Sequence, residues 1–477
     1  MPNSFESLKK SIQENEISID LHKLEEAYEF VKKNLGDKKR HTGETYIDHS
    51  VKSAIIISEI KADSVSILSC LLHEAAYRNP DLIPEISKIF GPEVSLIIQK
   101  FNALGEIRFN ENPKFRENIK KMIIGISEDL RVITIKLATF YEHLKTCKTL
   151  PKEEQIESAK QGMLIYAPIA DLLGIWDLRW KIEDAAFEIL NPKEYIEIHN
   201  KFYIKKKKEQ ERYIENLREI LKIKCDSYKL PCQIEGRYKH IYSIYKKMKD
   251  KRKKFNEIYD VFALRVIVSD IPQCYQLLGI IHSLWKPYLQ RIKDYIAQPK
   301  PNGYQSLHTT VFGPGGLPAE FQIRTIEMHE TSEFGVAAHW KYKNASKSIM
   351  QNTRWVTDIL KMKKRLFEDS TAIALNNKLD IFKSRIFVFT PKGDVIDLPE
   401  KATPVDFAYY IHSEIGRKCA GCLVNNLPAK LSQPLKNNDM VEIVLDENQK
   451  YPDERWLTFV VSSHARRKIN NHINKNA

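Results

Sequence analysis

Two stretches of this chain combine residue types in patterns that folding alone does not demand. In IEGRYK, period-2 alternation puts Glu235, Arg237 and Lys239 on one face of a strand. The segment that follows carries Ser243 and Lys247, four residues apart and so on one helical face. Cations converging with a hydroxyl make a clamp for phosphate oxygens. Further on, QRIKDYIAQPKPNGYQSLHTTVFGP holds Arg291, Lys293, Lys300, Asn302, Tyr304 and His308. Pro299, Pro301 and Gly303 fix a non-helical path, and Tyr304 offers a flat ring on which a base can stack. In EFQIRT, alternation places Glu320, Gln322 and Arg324 on one face, with Phe321 and Ile323 toward a core. Asp260 opens the alternating run DVFALRVIV. Two carboxylates, Asp260 and Glu320, amid so much positive charge suit Mg²⁺, which takes one or two carboxylates together with phosphate oxygens.

The charge supports this reading. The chain carries 75 Lys+Arg against 62 Asp+Glu, a net +13. Residues 201–256 hold 19 basic and 7 acidic side chains, so nearly all the excess sits there, including Lys205–Lys208 and the KKMKDKRKK run from Lys246 to Lys254. Such a field suits a polyphosphate ligand or RNA, although any one charge run can equally be a solvated helix face.

The elements that must position these groups follow from pattern. The 477 residues predict about three domains at ~150 residues each. Residues 1–200 read as helical, with Leu21, Leu24, Ala27, Tyr28 and Val31 at helical spacing. A helix from about 206 (Tyr213, Ile214, Leu217, Ile220, Leu221) leads into short alternating strands with helices between them, an α/β domain over 201–344. Residues 345–383 read as a polar helical connector. Over 384–447, RIFVFTPKGDVIDLP gives two strands around a Lys-Gly-Asp turn, PVDFAYYIHSEIG a helix closed by Gly416 at C′, and NNLPAK and DMVEIVL further strands. Residues 448–477 form a last short segment. No apolar run reaches the ~18 residues of a membrane helix and MPNSFESLKK is no signal peptide. The 7 cysteines are scattered, which predicts a reducing, cytoplasmic setting. Cys419-Ala-Gly-Cys422 has CxxC spacing without the second pair that zinc requires.

GRYKHIYSIYKKM, IYDVFALRVIV, RIKDYIAQPKPNGYQSLHTTV and EFQIRTIEMHETSEFGVAAHWKYK resemble the synthetase domain of the RelA/SpoT family of guanosine polyphosphate enzymes, and RIFVFTPKGDVIDLPEKATPVDFAYYIHSEIGRKCAG resembles its TGS domain. The resemblance implies a multidomain α plus α/β chain: an all-helical HD-type domain, a nucleotidyltransferase-like mixed-sheet synthetase domain and a small β-grasp-like TGS domain. It implies transfer of the β,γ-diphosphate of ATP to the 3′-hydroxyl of GTP or GDP, with Mg²⁺ as cofactor. By the same resemblance, Asp260 and Glu320 bind Mg²⁺ and Glu320 takes the hydroxyl proton. Arg237, Lys239, Ser243 and Lys247 hold ATP, the first two as catalytic cations. Tyr304 stacks on the guanine; Lys293, Lys300, Asn302 and His308 fix the acceptor nucleotide; Gln322 and Arg324 support the site. Arg291-Ile-Lys293-Asp294 matches the basic loop form of the family's bifunctional members.

RHTGETYIDHS and LLHEAAYRN are similar to the family's HD hydrolase domain, which removes the 3′-diphosphate with Mn²⁺ held by two His and two Asp. Here His49 and His73 remain, Glu74 replaces the first Asp, Thr139 the second, Tyr77-Arg78 the acidic pair that handles water, and His143 the downstream Asn. A synthetase with an inactive hydrolase domain is the leading expectation, with metal bound weakly if at all at the degenerate site. Three alternatives stand beside it: a bifunctional enzyme, a pyrophosphokinase acting on the 3′ end of tRNA, and a non-catalytic tRNA- or ribosome-binding regulator. In the family the TGS domain contacts the tRNA acceptor end, and His412 and Arg417 lie in the matching helix and turn. Beyond it the chain resembles only the start of the next region (RWLTFVVSSHARRKI), so the longer regulatory half and stable ribosome docking are expected to be lacking. No membrane partner is expected, and the sequence sets no oligomeric state.

Overall fold

The computed structural model describes residues 4–105, 129–201, 207–238, 240–250, 262–299, 304–335, 385–391, 395–436, 439–446 and 452–474. Asp260, Lys239, Lys300, Asn302, the 345–383 connector, the Lys392-Gly393-Asp394 turn and the basic run past Asp250 lie outside these residues. The chain divides into two compact units, Met1–Phe367 and Glu368–Ala477.

The first unit begins with a stack of helices. Leu24, Ala27 and Val31 are buried as their spacing predicts, whereas Leu21 stays exposed and Tyr28 stacks on Phe5. Three helices carry the residues of interest: Tyr46–Glu59, Ser64–Arg78 and Leu130–Thr146. The first two start at side-chain caps, Thr45 and Asp63, and bury most of their length.

The α/β part is a five-stranded mixed sheet in the order β1-β2-β5-β4-β3, with β1 Gln233–Tyr238, β2 Phe262–Val268, β3 Lys293–Asp294, β4 Leu307–Phe312 and β5 Pro318–Thr325. Only β2 and β5 run parallel, in a register that pairs Ala263 with Glu320; every other pair is antiparallel. Leu264, Val266, Phe321 and Ile323 build the core with Leu217 and Leu221 of the helix Lys207–Ser227. That helix is pinned by Tyr213, whose hydroxyl donates to Leu317 O at 2.8 Å.

The second unit pairs β6 Arg385–Phe389 with β7 Val395–Pro399 as the expected hairpin, beside a sheet of β8 Cys419–Val424, β9 Leu427–Ala429 and β10 Val441–Leu445. Its helix Pro404–Ile411 starts at a capping box between Thr403 and Asp406. Gly416 does not end this helix as expected. The chain turns extended at His412, and Gly416 lies in a second short helix, where a Cβ would come within 2.4 Å of the Tyr409 ring. The glycine is there for close packing. Trp456, Val460, Ala465 and Ile469 of the last segment share a core with Val405, Ala408 and Tyr409. Among the described residues no helix is long and apolar enough to cross a membrane.

Candidate functional site

The strand order gives the sheet a chemical direction. Edge strand β1 feeds the helix Ile241–Asp250, which presents Ser243 and Lys247; the opposite edge, β3 and β4, carries Lys293 and His308 as a cross-strand pair. Between the edges lies β5 with Glu320. Ser243 and Lys247 therefore lie by one edge, Lys293 and His308 by the other, and the Glu320 carboxylate stands on a strand between.

The residues around Tyr304 are joined. The Tyr304 hydroxyl lies 2.7 Å from His308 Nε2, and Arg324 Nη2 donates to it at 3.1 Å. His308 Nδ1 lies 3.4 Å from Glu320 Oε1, which also accepts from Gln322 Nε2 at 3.1 Å. The imidazole thus links the tyrosine hydroxyl to the carboxylate. Arg324, placed by alternation on the face of Glu320 and Gln322, is buried, 1% exposed, because the following helix Ile326–Phe334 covers that face with Glu333. Glu333 also pairs with Arg265 of β2. Buried and ion-paired, Arg324 holds the Tyr304 hydroxyl in place. Lys293 is exposed at the rim.

At the β1 edge, Glu235 pairs with Arg265 at 3.4 Å, so it faces a cation of the scaffold. For Mg²⁺, Glu320 offers a partly buried carboxylate beside a histidine and an amide, a hard oxygen donor that fits the ion.

The helical part holds a second constellation. His49 Nε2 lies 4.0 Å and His73 Nε2 3.8 Å from Glu74 Oε1, and one ligand atom from each of the three falls within 4.8 Å of the others. His73 Nδ1 donates to Cys70 O, and His49 Nδ1 faces the Glu142 carboxylate; with Nδ1–H donating there, both Nε2 lone pairs aim at Glu74. Burial holds both imidazoles below their ordinary pKa, for His49 with help from the Arg40 guanidinium. Arg40 Nη1 lies 3.2 Å from Glu142. These three donors fit a divalent ion better than the sequence suggested. The rest of the expected set does not: Thr139 donates to Lys136 O at 3.1 Å, His143 turns to Ser158 at 3.1 Å, and Tyr77 is exposed. Arg78 lies over the Tyr46 ring at 3.6 Å with Nε 3.5 Å from Glu74 Oε2.

Sequence reasoning missed Arg40, Glu44 and Glu142. Glu142 was within reach, since it stands three residues after Thr139 and so on the same helical face. In the second unit, His412 is exposed and its Nδ1 accepts from Glu414 N, while Arg417 pairs with Glu414 at 2.5 Å. Cys419 and Cys422 are buried, and burial pushes both thiols up, Cys419 to about 12.

Three family models match the chain: "Region found in RelA / SpoT proteins" over residues 236–347, an HD domain over 27–176 and a TGS domain over 386–445. Among curated proteins it is 40% identical over 463 residues to a GTP pyrophosphokinase of Myxococcus xanthus, covering 95% of this chain and 60% of that one. It is 38% identical over 470 residues to the bifunctional (p)ppGpp synthase/hydrolase SpoT of Escherichia coli, covering 98% of this chain and 66% of that one. A guanosine-3′,5′-bis(diphosphate) 3′-pyrophosphohydrolase of Aquifex aeolicus is 39% identical, with 95% and 64% covered. The chain thus spans less than two thirds of the length of these relatives. Among solved structures, the small alarmone synthetase 1 of Bacillus subtilis bound to pppGpp aligns with 22% identity and a TM-score of 0.25, over 33% of this chain and 91% of that one.

Proposed function

Because the chain belongs to the RelA/SpoT family, we propose that its sheet-centred site transfers the β,γ-diphosphate of ATP to the 3′-hydroxyl of GTP or GDP, releasing AMP and forming pppGpp or ppGpp. The observation that carries this reading is the contact series Glu320–His308–Tyr304–Arg324, which joins β5, β4 and the stretch just before β4. A transfer of this kind needs two nucleotides aligned and their charge neutralised more than it needs covalent help.

Each group then has a task. Ser243 and Lys247, with Arg237 and Lys239 just upstream in the sequence, bind the triphosphate of ATP. Tyr304, held at its hydroxyl by His308 and Arg324, keeps its ring in place for the guanine, with Lys293, Lys300 and Asn302 along the acceptor nucleotide. Glu320 takes the proton from the 3′-hydroxyl as it attacks. Asp260 and Glu320 would hold Mg²⁺, which when bound neutralises the phosphates in transfer. The domain limits follow the same reading: a helical domain over 1–200, the synthetase over 201–344, a connector over 345–383, the TGS domain over 384–447 and a closing segment to 477.

A second reading, a bifunctional enzyme, is favoured by the convergence of His49, His73 and Glu74 and by relatives named as hydrolases. Hydrolysis further needs a base to take a proton from water. Arg78 occupies that neighbourhood, cannot serve as a base, and already pairs with Glu74. We therefore assign the hydrolase domain as inactive. For the TGS domain we propose contact with the tRNA acceptor end through exposed His412.

One experiment tests the whole: the purified protein with γ-labelled ATP, Mg²⁺ and GDP, GTP or tRNA. Label on GDP or GTP supports the proposal. Label on tRNA moves the acceptor to RNA, and absence of label from every acceptor overturns the enzyme reading in favour of a binding regulator.

A further inference from the structure

The helix Ile241–Asp250 has no Ser, Thr, Asp or Asn in the capping position. Its first N–H groups need acceptors, and the residue before it is His240, whose backbone carbonyl starts the helix by accepting from Ile244 N at 3.2 Å. The His240 ring is committed elsewhere, stacked on Trp180 at 4.6 Å and 5°. The missing acceptor comes from the helical domain. Asp184, on the helix Trp176–Leu190, accepts from Tyr242 N at 2.9 Å and from Ile241 N at 3.2 Å. A carboxylate there also meets the positive end of the helix dipole.

The rest of the contact is apolar and one-sided. Ile241 and Ile244 are buried with Phe187 and Ile198, and Tyr245 and Met248 pack against the same cluster. At 100° per residue these four lie on one face, while Ser243 and Lys247 lie on the opposite one. The platform that buries the back of the helix therefore sets where its front points. The acceptor side leans on the same stretch of chain. A Cβ on Gly335, which ends the Ile326–Phe334 helix at φ +54°, would lie 2.3 Å from Leu173 O. Tyr304 shares a small cavity with Asp171, Gly174 and Trp176.

We propose that Asp184 is a positioning residue for the donor nucleotide: by capping the Ile241–Asp250 helix from the helical domain, it holds Ser243 and Lys247 in line with the phosphates of ATP. This rests on the pyrophosphokinase reading above and gives the helical domain a part in synthesis that does not depend on hydrolysis. Asp184 acts through the helix that carries Ser243 and Lys247, so its effect is expected on the binding of ATP alone.

The test uses the full chain with Asp184→Ala and Asp184→Asn. Asparagine keeps a capping oxygen and alanine does not. Asp184→Ala should raise the KM for ATP about fivefold, leave the KM for GDP within about twofold, and weaken a non-hydrolysable ATP analogue, measured by calorimetry, by the same factor as the KM; Asp184→Asn should stay close to wild type in all three. A merely structural role would move both KM values together. Equal behaviour of the two variants, or an equal rise for GDP, overturns the proposal. If the wild type transfers no pyrophosphate, the enzyme reading fails by itself, and the calorimetric comparison still decides on Asp184; a wild type that does not bind the ATP analogue overturns it. Should Asp184→Ala not fold, Asp184→Ser, whose hydroxyl cannot reach both N–H groups, takes its place with the same outcomes.

Discussion

The carboxyl of Asp184 offers a measurement that needs no substrate. Burial pushes its pKa from an ordinary 3.8 up to about 6, against the pull of the two backbone N–H groups it accepts from. An acid whose pKa is raised by folding binds its proton more tightly in the native state, so the native state loses stability as pH rises from about 4 to about 6 and has lost all of that contribution above it. A rise from 3.8 to about 6 corresponds to about 3 kcal/mol at about 1.4 kcal/mol per pKa unit. Partial exposure of the side chain brings the expectation nearer 2 kcal/mol. Asparagine resembles the protonated carboxyl in shape, charge and hydrogen bonding, so Asp184→Asn should match wild type at pH 4 and exceed it at pH 7.5. At about 2–4 °C per kcal/mol for domains of 150–250 residues, the gain in Tm at pH 7.5 is about 4–8 °C. Other buried acids with raised pKa, among them Glu44, Glu142, Asp177 and Glu183, impose a trend of the same sign, but they are common to both proteins and cancel in the difference. Thermal unfolding of the pair across pH 4–8, followed at the first transition, reads the difference directly. Parallel curves, or a variant less stable at pH 7.5, would show that desolvation does not govern this carboxylate.

Other expectations concern activity. Asp260→Asn or Glu320→Gln should lower kcat for synthesis by ~10²-fold or more while circular dichroism stays unchanged; retention of more than about half the wild-type rate would refute the metal assignment. Tyr304→Ala should raise the KM for GDP or GTP far more than that for ATP, since stacking on a base contributes roughly 1–3 kcal/mol in nucleic-acid binders. The protein should release no pyrophosphate from ppGpp with millimolar Mn²⁺, and turnover that disappears in His73→Ala would restore a bifunctional enzyme. Arg78→Asp combined with Thr139→Asp should recover part of the hydrolysis, read as pyrophosphate release, if those two positions hold the lesion.

How much of this was legible in the sequence depended on the range of the interaction. Period-2 alternation placed β5 and its buried Phe321 and Ile323 without help, because a strand's two faces are fixed by its own backbone. The same rule put Arg324 on the opposite face but did not say what covers that face, which another element decides, here the helix with Glu333. Gly416 shows the same limit. As a local signal it read as a helix terminator, and only the Tyr409 ring, seven residues back and folded over it, shows why a side chain is excluded. The hydrolase-like site divides along that line as well. His49, His73 and Glu74 could be read from the family resemblance, whereas Glu142 meets His49 across 93 positions, and only the helical face it shares with Thr139 hinted at it. Asp184 left a faint trace. A helix starting after Lys239-His240 has no Ser, Thr, Asp or Asn in the capping position, so its N–H groups had to be met from elsewhere. A missing cap in a sequence therefore points to a tertiary contact without identifying the partner. Here the partner is a carboxylate 57 residues upstream of Ile241, on a helix of the helical domain, which is how that domain would bear on the proposed transfer next to it.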